Sequence, residues 1–239
     1  MLAQFATRSY ELEHLDKGDY TSDEYAGCLV ELRWINRFLG DAAGMRRSLW
    51  SEVERNGQQK FSVLDVGAGS GELLRITSHW ARSQHYEARL VGLELNASAA
   101  RAIKDESEPV DNISSVRGNV FLLPFGDDSF DYVICSLFAH HFRDSDLIKI
   151  LREFNRVAKR RLFIIDLHRH PVAYFLYKIV SILFLRNRLT REDGALSIHR
   201  GFLPDELRHL AIRAGLEHAN VSRVFPYHLV LSSGAGGSK

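Results

Sequence analysis

Apolar positions along the chain fall into two alternating patterns. Short continuous runs occur in Phe61–Val66, Arg89–Glu94, Ile113–Arg117, Tyr132–Cys135 and Arg161–Leu167, as expected of strands buried on both faces. Between them, apolar residues recur at helical spacing. Leu73, Leu74, Ile76 and Trp80 define one such face, Ala97–Lys104 is a short helix, and Leu147, Ile150, Leu151, Phe154 and Val157 line one side of Asp144–Ala158. Strands alternating with helices predict an α/β fold built on a parallel sheet. Pro171–Leu185 breaks the rhythm, being apolar on nearly every side, and Leu189–Arg200 reads as a loop. Pro204–Ala214 is a helix closed by Gly215, and Glu217–Val224 with Tyr227–Ser232 predicts a closing hairpin.

Residues 1–60 carry no strand pattern. Tyr10–Asp16 is predicted as a helix ending at Lys17-Gly18-Asp19. Thr21 and Glu24 supply a capping box for a second helix, which runs to Leu39 with Leu29, Leu32, Ile35, Phe38 and Leu39 apolar and Gly40 at its end. A third, shorter helix covers Met45–Val53.

The chemistry begins at F-S-V-L-D-V-G-A-G-S-G, Phe61–Gly71. A buried strand runs into three glycines, Gly67, Gly69 and Gly71, and then into a helix. Strand, glycine turn and helix open the nucleotide-binding α/β folds, because glycine allows a tight turn and close approach of a ligand to backbone. The spacing is G-x-G-x-G, not the dinucleotide G-x-G-x-x-G, and no Lys-Ser/Thr follows as in a P-loop. The next strand, R-L-V-G-L-E-L-N, ends in Glu94 at about the ~20-residue spacing expected of an acid that takes both ribose hydroxyls. Turn and acid together indicate a ligand of the adenosine type.

Asp65 and the turn Gly67-Ala68-Gly69-Ser70-Gly71 resemble motif I of the class I S-adenosylmethionine (SAM) methyltransferases. A second resemblance lies in L-P-F-G-D-D-S-F-D, Leu123–Asp131, which is similar to the ubiquinone/menaquinone-biosynthesis methyltransferases. G-F-L-P-D-E-L followed by A-G-L and two strands also resembles that class, over roughly residues 60–232. The N-terminal helices and Pro171–Arg200 resemble more loosely the small-molecule methyltransferases of polyketide pathways. The resemblance implies a Rossmann-like, seven-stranded, mostly parallel sheet ending in an antiparallel strand. It implies SAM as cofactor, held by Asp65, Gly67, Ala68, Gly69, Gly71, Glu94, Leu95, Asn119, Val120 and Ser136. Asn119 stands where the family often has an acid for the adenine amino group, and its carbonyl oxygen can accept the same bond. Residues 1–60 form a helical cap, over the substrate pocket or on the sheet flank. Residues 61–232 form the SAM-binding domain with a 168–200 insertion, and 233–239 a flexible tail. The apolar insertion helix is a lid over an apolar or aromatic substrate, a homodimer face or added core, or an interfacial helix dipping toward lipid.

Composition narrows the partners. The formal net charge is +1 over 239 residues, so nothing draws the chain to nucleic acid, and the basic end of the Asp144–Ala158 helix reads as solvated. Cys28 and Cys135 are the only cysteines; without C-x-x-C spacing they argue for a reducing, cytoplasmic setting and against a zinc site, so no metal is expected. The N-terminus lacks a signal peptide's apolar core. The Pro171–Leu185 run is shorter than the ~20 residues of a membrane span.

Ser136–Phe142 leaves the carboxyl end of the fourth strand, the edge where open α/β sheets bind ligands. It lacks the N/D-P-P-Y pattern of certain N-methyltransferases. Methyl transfer to a phenol or enol benefits from a base, since a phenol has a pKa of about 10, and histidine is the usual choice. The candidates are His141, then His168, then His199, with His170 also at this edge, His140 as a turn cap, and Asp166 as an orienting carboxylate. The expected reaction is in-line methyl transfer to a small aromatic, phenolic or polyketide-type acceptor, at oxygen before carbon. A SAM-binding protein that transfers nothing, and an NAD-dependent oxidoreductase, are the alternatives.

Overall fold

A computed structural model describes residues 2–39, 41–107 and 110–234. Strands β1 (Lys60–Val66), β2 (Glu87–Glu94), β3 (Ile113–Arg117), β4 (Phe130–Ser136) and β5 (Ala158–Leu167) run parallel. β6 (Asn220–Val224) and β7 (His228–Gly234) close the sheet, β7 lying antiparallel to both β5 and β6. The spatial order is β3-β2-β1-β4-β5-β7-β6. This is the expected seven-stranded, mostly parallel Rossmann-like sheet. The order reverses at β1 and β4, the switch point at which ligands of doubly wound sheets bind.

The predicted runs are buried for the predicted reason: both faces of the sheet are covered. α7 (Asp144–Val157) and α10 (Pro204–Arg213) pack with Leu64, Val66, Val133 and Ile164 on one side. On the other, α5 (Glu72–Ser83) and the helices before β1 pack with Val63, Leu90, Tyr132 and Phe163, and Ile103 of α6 (Ala97–Asp105) joins them.

The N-terminal region is helical but differently divided. Tyr10–Leu12 is not helical; only α1 (His14–Lys17) forms, stopped by Gly18 at φ +71°. α2 (Ser22–Leu39) follows, with the predicted capping box in place: the backbone N–H of Thr21 donates to Glu24 and that of Glu24 to the Thr21 hydroxyl. Ile35 is buried. The helix-ending role of Gly40 and the side chains of Leu29, Leu32, Phe38 and Leu39 lie outside the described residues. The single helix expected over Met45–Val53 is three pieces: α3 (Asp41–Met45), a π-helical turn (Arg46–Trp50) and α4 (Ser51–Asn56).

The largest departure follows β5. α8 (Pro171–Phe184) is as predicted, but Leu189–Arg200 is no loop: α9 spans Arg188–Arg200. Asn187 caps it, its side-chain oxygen accepting from the N–H of Leu189 at 2.9 Å. Its sequence hides the helix because Gly194 interrupts it. That glycine is where Tyr177 of α8 packs: a Cβ there would lie 2.0 Å from the phenol oxygen. Strand β7 runs on through Ser233 and Gly234, paired with Leu162 and Arg161, so only 235–239 remain of the predicted tail, outside the described residues.

Candidate active site

The glycine turn sits at the carboxyl end of β1. Gly67 and Gly71 adopt φ +73° and +82°, and Gly71 caps α5. The N–H of Gly67 donates to the Leu93 carbonyl at 2.9 Å, tying the turn to β2. Gly67 has a second reason to lack a side chain: a Cβ would lie 2.6 Å from the Phe138 ring. Gly69 faces open space, with nothing among the described residues within 4 Å of where its Cβ would be.

Glu94 ends β2 beside this turn. Its Oε2 accepts from the N–H of Gly69 at 3.1 Å, and its Oε1 accepts from Leu95 at 2.9 Å and Asn96 at 3.0 Å. Three backbone donors hold the carboxylate at the mouth of the turn, with acceptor capacity left on Oε2. Tyr25 of α2 lies near enough that Glu94 helps raise its phenol, after burial and Tyr20. Leu95 is exposed and Val120 buried, and the Asn119 oxygen accepts from Phe121 N–H at 3.0 Å. Asp65 is buried within β1. The Ser136 hydroxyl, at the end of β4, is shielded from solvent with no hydrogen-bond partner among the described residues. An open glycine turn, a poised carboxylate and an orphaned hydroxyl on one sheet edge fit an adenosyl-methionine ligand.

Beyond the end of β4, Ala139–His141 forms a single helical turn. His140 is buried, its Nδ1 2.7 Å from Asp166 Oδ1, while its backbone N–H donates to Asp166 Oδ2 at 3.0 Å. Leu167 N–H donates to the same carboxylate at 2.7 Å. Burial alone would raise Asp166, but His140 and these hydrogen bonds hold it below the usual range. An ionised carboxylate only accepts, so His140 Nδ1 donates to it and Nε2 points away from Asp166.

The residues facing that Nε2 come from the N-terminal segment and α9. Glu13 Oε1 is 3.8 Å from His140 Nε2, and its Oε2 is 3.9 Å from His141 Nε2. His141 Nδ1 lies 3.2 Å from Asp16 Oδ1. Asp16 is held ionised, its burial outweighed by His141 and Arg200. Glu13 is pushed up by burial, against the pull of His141, Ser197 and Arg200; the Ser197 hydroxyl donates to it at 2.8 Å. Arg200 clamps the assembly, donating to Asp16 at 2.8 Å and to the carbonyls of Glu11 and His141 at 3.0 and 2.8 Å. Asp193 accepts from the backbone of His14 and Leu15. Glu13, His140 and His141 offer three ligand atoms mutually within 4.8 Å, and both rings are already held by carboxylates at Nδ1. That donor set could hold a divalent metal, an option that counting cysteines overlooked.

The predicted histidines are thus separated. His141 joins the carboxyl-edge cluster. His168 is buried on the side of the closing hairpin, its N–H on the Tyr227 carbonyl, and burial with nearby Arg223 pulls it down to about 4. His199 stacks on Phe5 at 4.5 Å and meets Tyr174 edge-on. His170 caps α8 through the N–H of Val172. Asp166 does orient a histidine, but it is His140. Glu13, Asp16, Ser197 and Arg200 carried no motif; they meet the histidines only through folding, 56 to 128 positions away in the chain. A separate cleft, lined by Lys60, Arg82 and Glu87, opens at the amino ends of the strands, the wrong edge for this chemistry.

Residues 64–165 match the family described as a methyltransferase domain. The chain is 34% identical over 131 residues to the uncharacterized methyltransferase YcgJ of Bacillus subtilis, covering 53% of this chain and 47% of that one. It is 30% identical over 171 residues to the ubiquinone/menaquinone biosynthesis C-methyltransferase UbiE of Hahella chejuensis, covering 68% and 62%. The chain thus spans about half to under two thirds of these relatives. In fold it is similar to magnesium protoporphyrin IX methyltransferase from Synechocystis, solved with bound SAH, with TM-score 0.58, 18% identity and coverage of 89% and 97%. The match over residues 64–165, the strand order and the glycine turn together make the sheet domain of this chain similar to the class I SAM-dependent methyltransferases.

Proposed function

We propose that this chain is a SAM-dependent methyltransferase that methylates an oxygen of a small apolar aromatic acceptor, a phenol or enol. The observation that carries the reading is the ring of His141. It is fixed at Nδ1 by an ionised Asp16, and its side chain is 24% exposed at the acceptor edge of the sheet.

SAM, when bound, supplies a methyl made electrophilic by its sulfonium. Gly67, Ala68, Gly69, Gly71, Glu94, Leu95, Asn119, Val120 and Ser136 would hold it, Glu94 taking the ribose hydroxyls. The rest is the protein's work. Asp16 can only accept, so His141 Nδ1 donates and Nε2 is left to take the acceptor's hydroxyl proton. General-base assistance of this kind contributes roughly 10²–10⁴-fold. Glu13, His140 and Asp166 form a buried chain behind that nitrogen, able to steady the imidazolium that forms. The N-terminal segment and α8–α9 serve as the cover over this pocket, since Glu13, Asp16 and Arg200 come from them. Excluding water and aligning the acceptor with the methyl supplies much of the remaining acceleration. The Hahella relative is named for C-methylation, so a ring carbon activated by a neighbouring phenol is the second acceptor.

Incubating the purified chain with SAM and a panel of phenols and polyketide aromatics, and reading S-adenosylhomocysteine, tests this. Product with a phenol and none with its methyl ether supports the reading. Tight SAM binding with no product from any acceptor favours the non-catalytic alternative.

A further inference from the structure

α8 is built inside out. On α7 the large apolar residues Leu147, Ile150, Leu151 and Phe154 are buried, as on an ordinary surface helix. On α8 the residues facing the protein are small or hydroxylated. Ala173 and Ser181 are buried, Tyr174 packs edge-on against Phe5 and His199, and the Tyr177 hydroxyl donates to the Thr190 carbonyl. The large aliphatic and aromatic residues point out. Val172, Phe175, Leu176, Ile179, Ile182 and Leu183 are 44% to 68% exposed. At 100° per residue they form one stripe about 120° wide.

Charge says what meets the stripe. No aspartate or glutamate occurs between Asp166 and Glu192, while Lys178, Arg186, Arg188 and Arg191 are exposed in that interval. Lys178 falls at the stripe's edge, about 40° from Ile182 on the helical wheel. The carboxylates nearest the far end of the helix are already engaged, Glu31 by the N–H groups of Arg186 and Asn187 and Glu24 by Arg188. An apolar stripe with Lys178 and Arg186 at its border and no acid on the helix itself is the composition of a helix lying in an anionic membrane surface. A second copy is a poor occupant. The helix has 14 residues and is about 21 Å long, so a stripe about 10 Å wide offers on the order of 200 Å², against the ~800 Å² per partner of a stable interface. No helix among the described residues is long and apolar enough to cross a membrane.

We infer that α8 seats this protein on an anionic lipid surface, its outward stripe buried among the acyl chains and Lys178 and Arg186 at the headgroups. Three residues separate the end of β5 from α8, which packs on α9, the helix that carries Ser197 and Arg200 of the acceptor site. On the methyl-transfer reading, this places the acceptor pocket at the bilayer and makes a lipid-dissolved aromatic its substrate class.

Co-sedimentation of the purified full chain with vesicles tests the inference. Equimolar phosphatidylglycerol–phosphatidylcholine vesicles should pull the protein down, and pure phosphatidylcholine about tenfold less well, from the loss of cation attraction. Ile179→Glu and Ile182→Glu, at exposed positions, should each cut the partition about tenfold or more while melting as wild type does. Wild type left in the supernatant with both vesicles overturns the inference, as does unchanged partition of well-folded variants. A wild-type dimer that Ile182→Glu renders monomeric, with no vesicle binding by either, overturns it in favour of a copy interface. Vesicle binding with no methylation of any acceptor would leave the membrane inference standing and sink only the reaction.

Discussion

His140 and Asp166 stand 26 residues apart in the chain and 2.7 Å apart in the fold, at the ends of neighbouring strands β4 and β5. The same carboxylate also collects the backbone N–H groups of His140 and Leu167. One buried charge therefore fixes both a ring and the turn that carries His141. Asp166→Asn keeps the shape but puts a donor where a third acceptor is needed. The expected result is a fall in kcat of about 10²-fold, and a loss of about 1–3 kcal/mol in stability. SAM affinity should stay within twofold. Steady-state kinetics, calorimetry and denaturant melts read the three separately.

Glu94 has a different exposure to mutation. Its carboxylate already closes the glycine turn through Gly69, so on the proposed cofactor reading its loss takes away the ribose acceptor and also loosens the turn. Glu94→Ala should weaken SAM binding by about 1–3 kcal/mol. Glu94→Gln, which keeps one oxygen, should lose less. Equal affinity of both variants and wild type in calorimetry would remove Glu94 from the cofactor site.

The part of the candidate site legible in the sequence is the part that is local. Gly67 and Glu94 lie on consecutive strands, and the glycines betray backbone that must turn with positive φ. The acceptor side is not local. Glu13 and Asp16 sit in a segment that forms barely one turn of helix, and Arg200 ends a helix disguised by Gly194. Burial drove the rest astray. His168 looks catalytic by position, just past β5, but the closing hairpin covers it. His199 is held by ring contacts with Phe5 and Tyr174 instead of joining the cluster. Only tertiary packing distinguishes these from His141.

The burial of His168 has a pH signature. Its folded value is pulled down to about 4 from an ordinary 6.5. Between these values the unfolded chain binds a proton that the folded chain refuses. Stability from this group is fully present above about 6.5 and is lost as pH falls toward 4. The loss is on the order of 2 kcal/mol, since the ring keeps some solvent contact. His168→Gln, which does not titrate, should flatten the slope of unfolding free energy in that window. An unchanged slope would mean the ring is hydrated when folded.

His141 should separate proton transfer from binding. His141→Ala is expected to lower kcat by about 10²–10⁴-fold with SAM affinity unchanged. If the base acts alone, EDTA leaves the wild-type rate where it was. A rate abolished by EDTA and restored by zinc would instead hand the role to a metal on Glu13, His140 and His141.

Gly67 meets two constraints at once, and they can be pulled apart. Its φ of +73° disfavours any side chain, and the Phe138 ring occupies the place where a Cβ would go. Gly67→Ala should therefore cost more than the ~1 kcal/mol of the backbone penalty; overpacking against the ring adds about 1–3 kcal/mol. Phe138→Ala should remove the second cost and leave the first. The double variant should then be less damaged than the sum of the singles, by about 1 kcal/mol or more. Denaturant melts of the four proteins close the cycle. Strict additivity would mean that the ring moves aside freely and that Gly67 is needed for its backbone alone. Strong coupling would mean that Phe138, on the β4 edge, is packed against the cofactor turn itself. The acceptor loop and the cofactor loop would then move as one body, and substitutions at Phe138 should change SAM affinity even though the side chain carries no polar group.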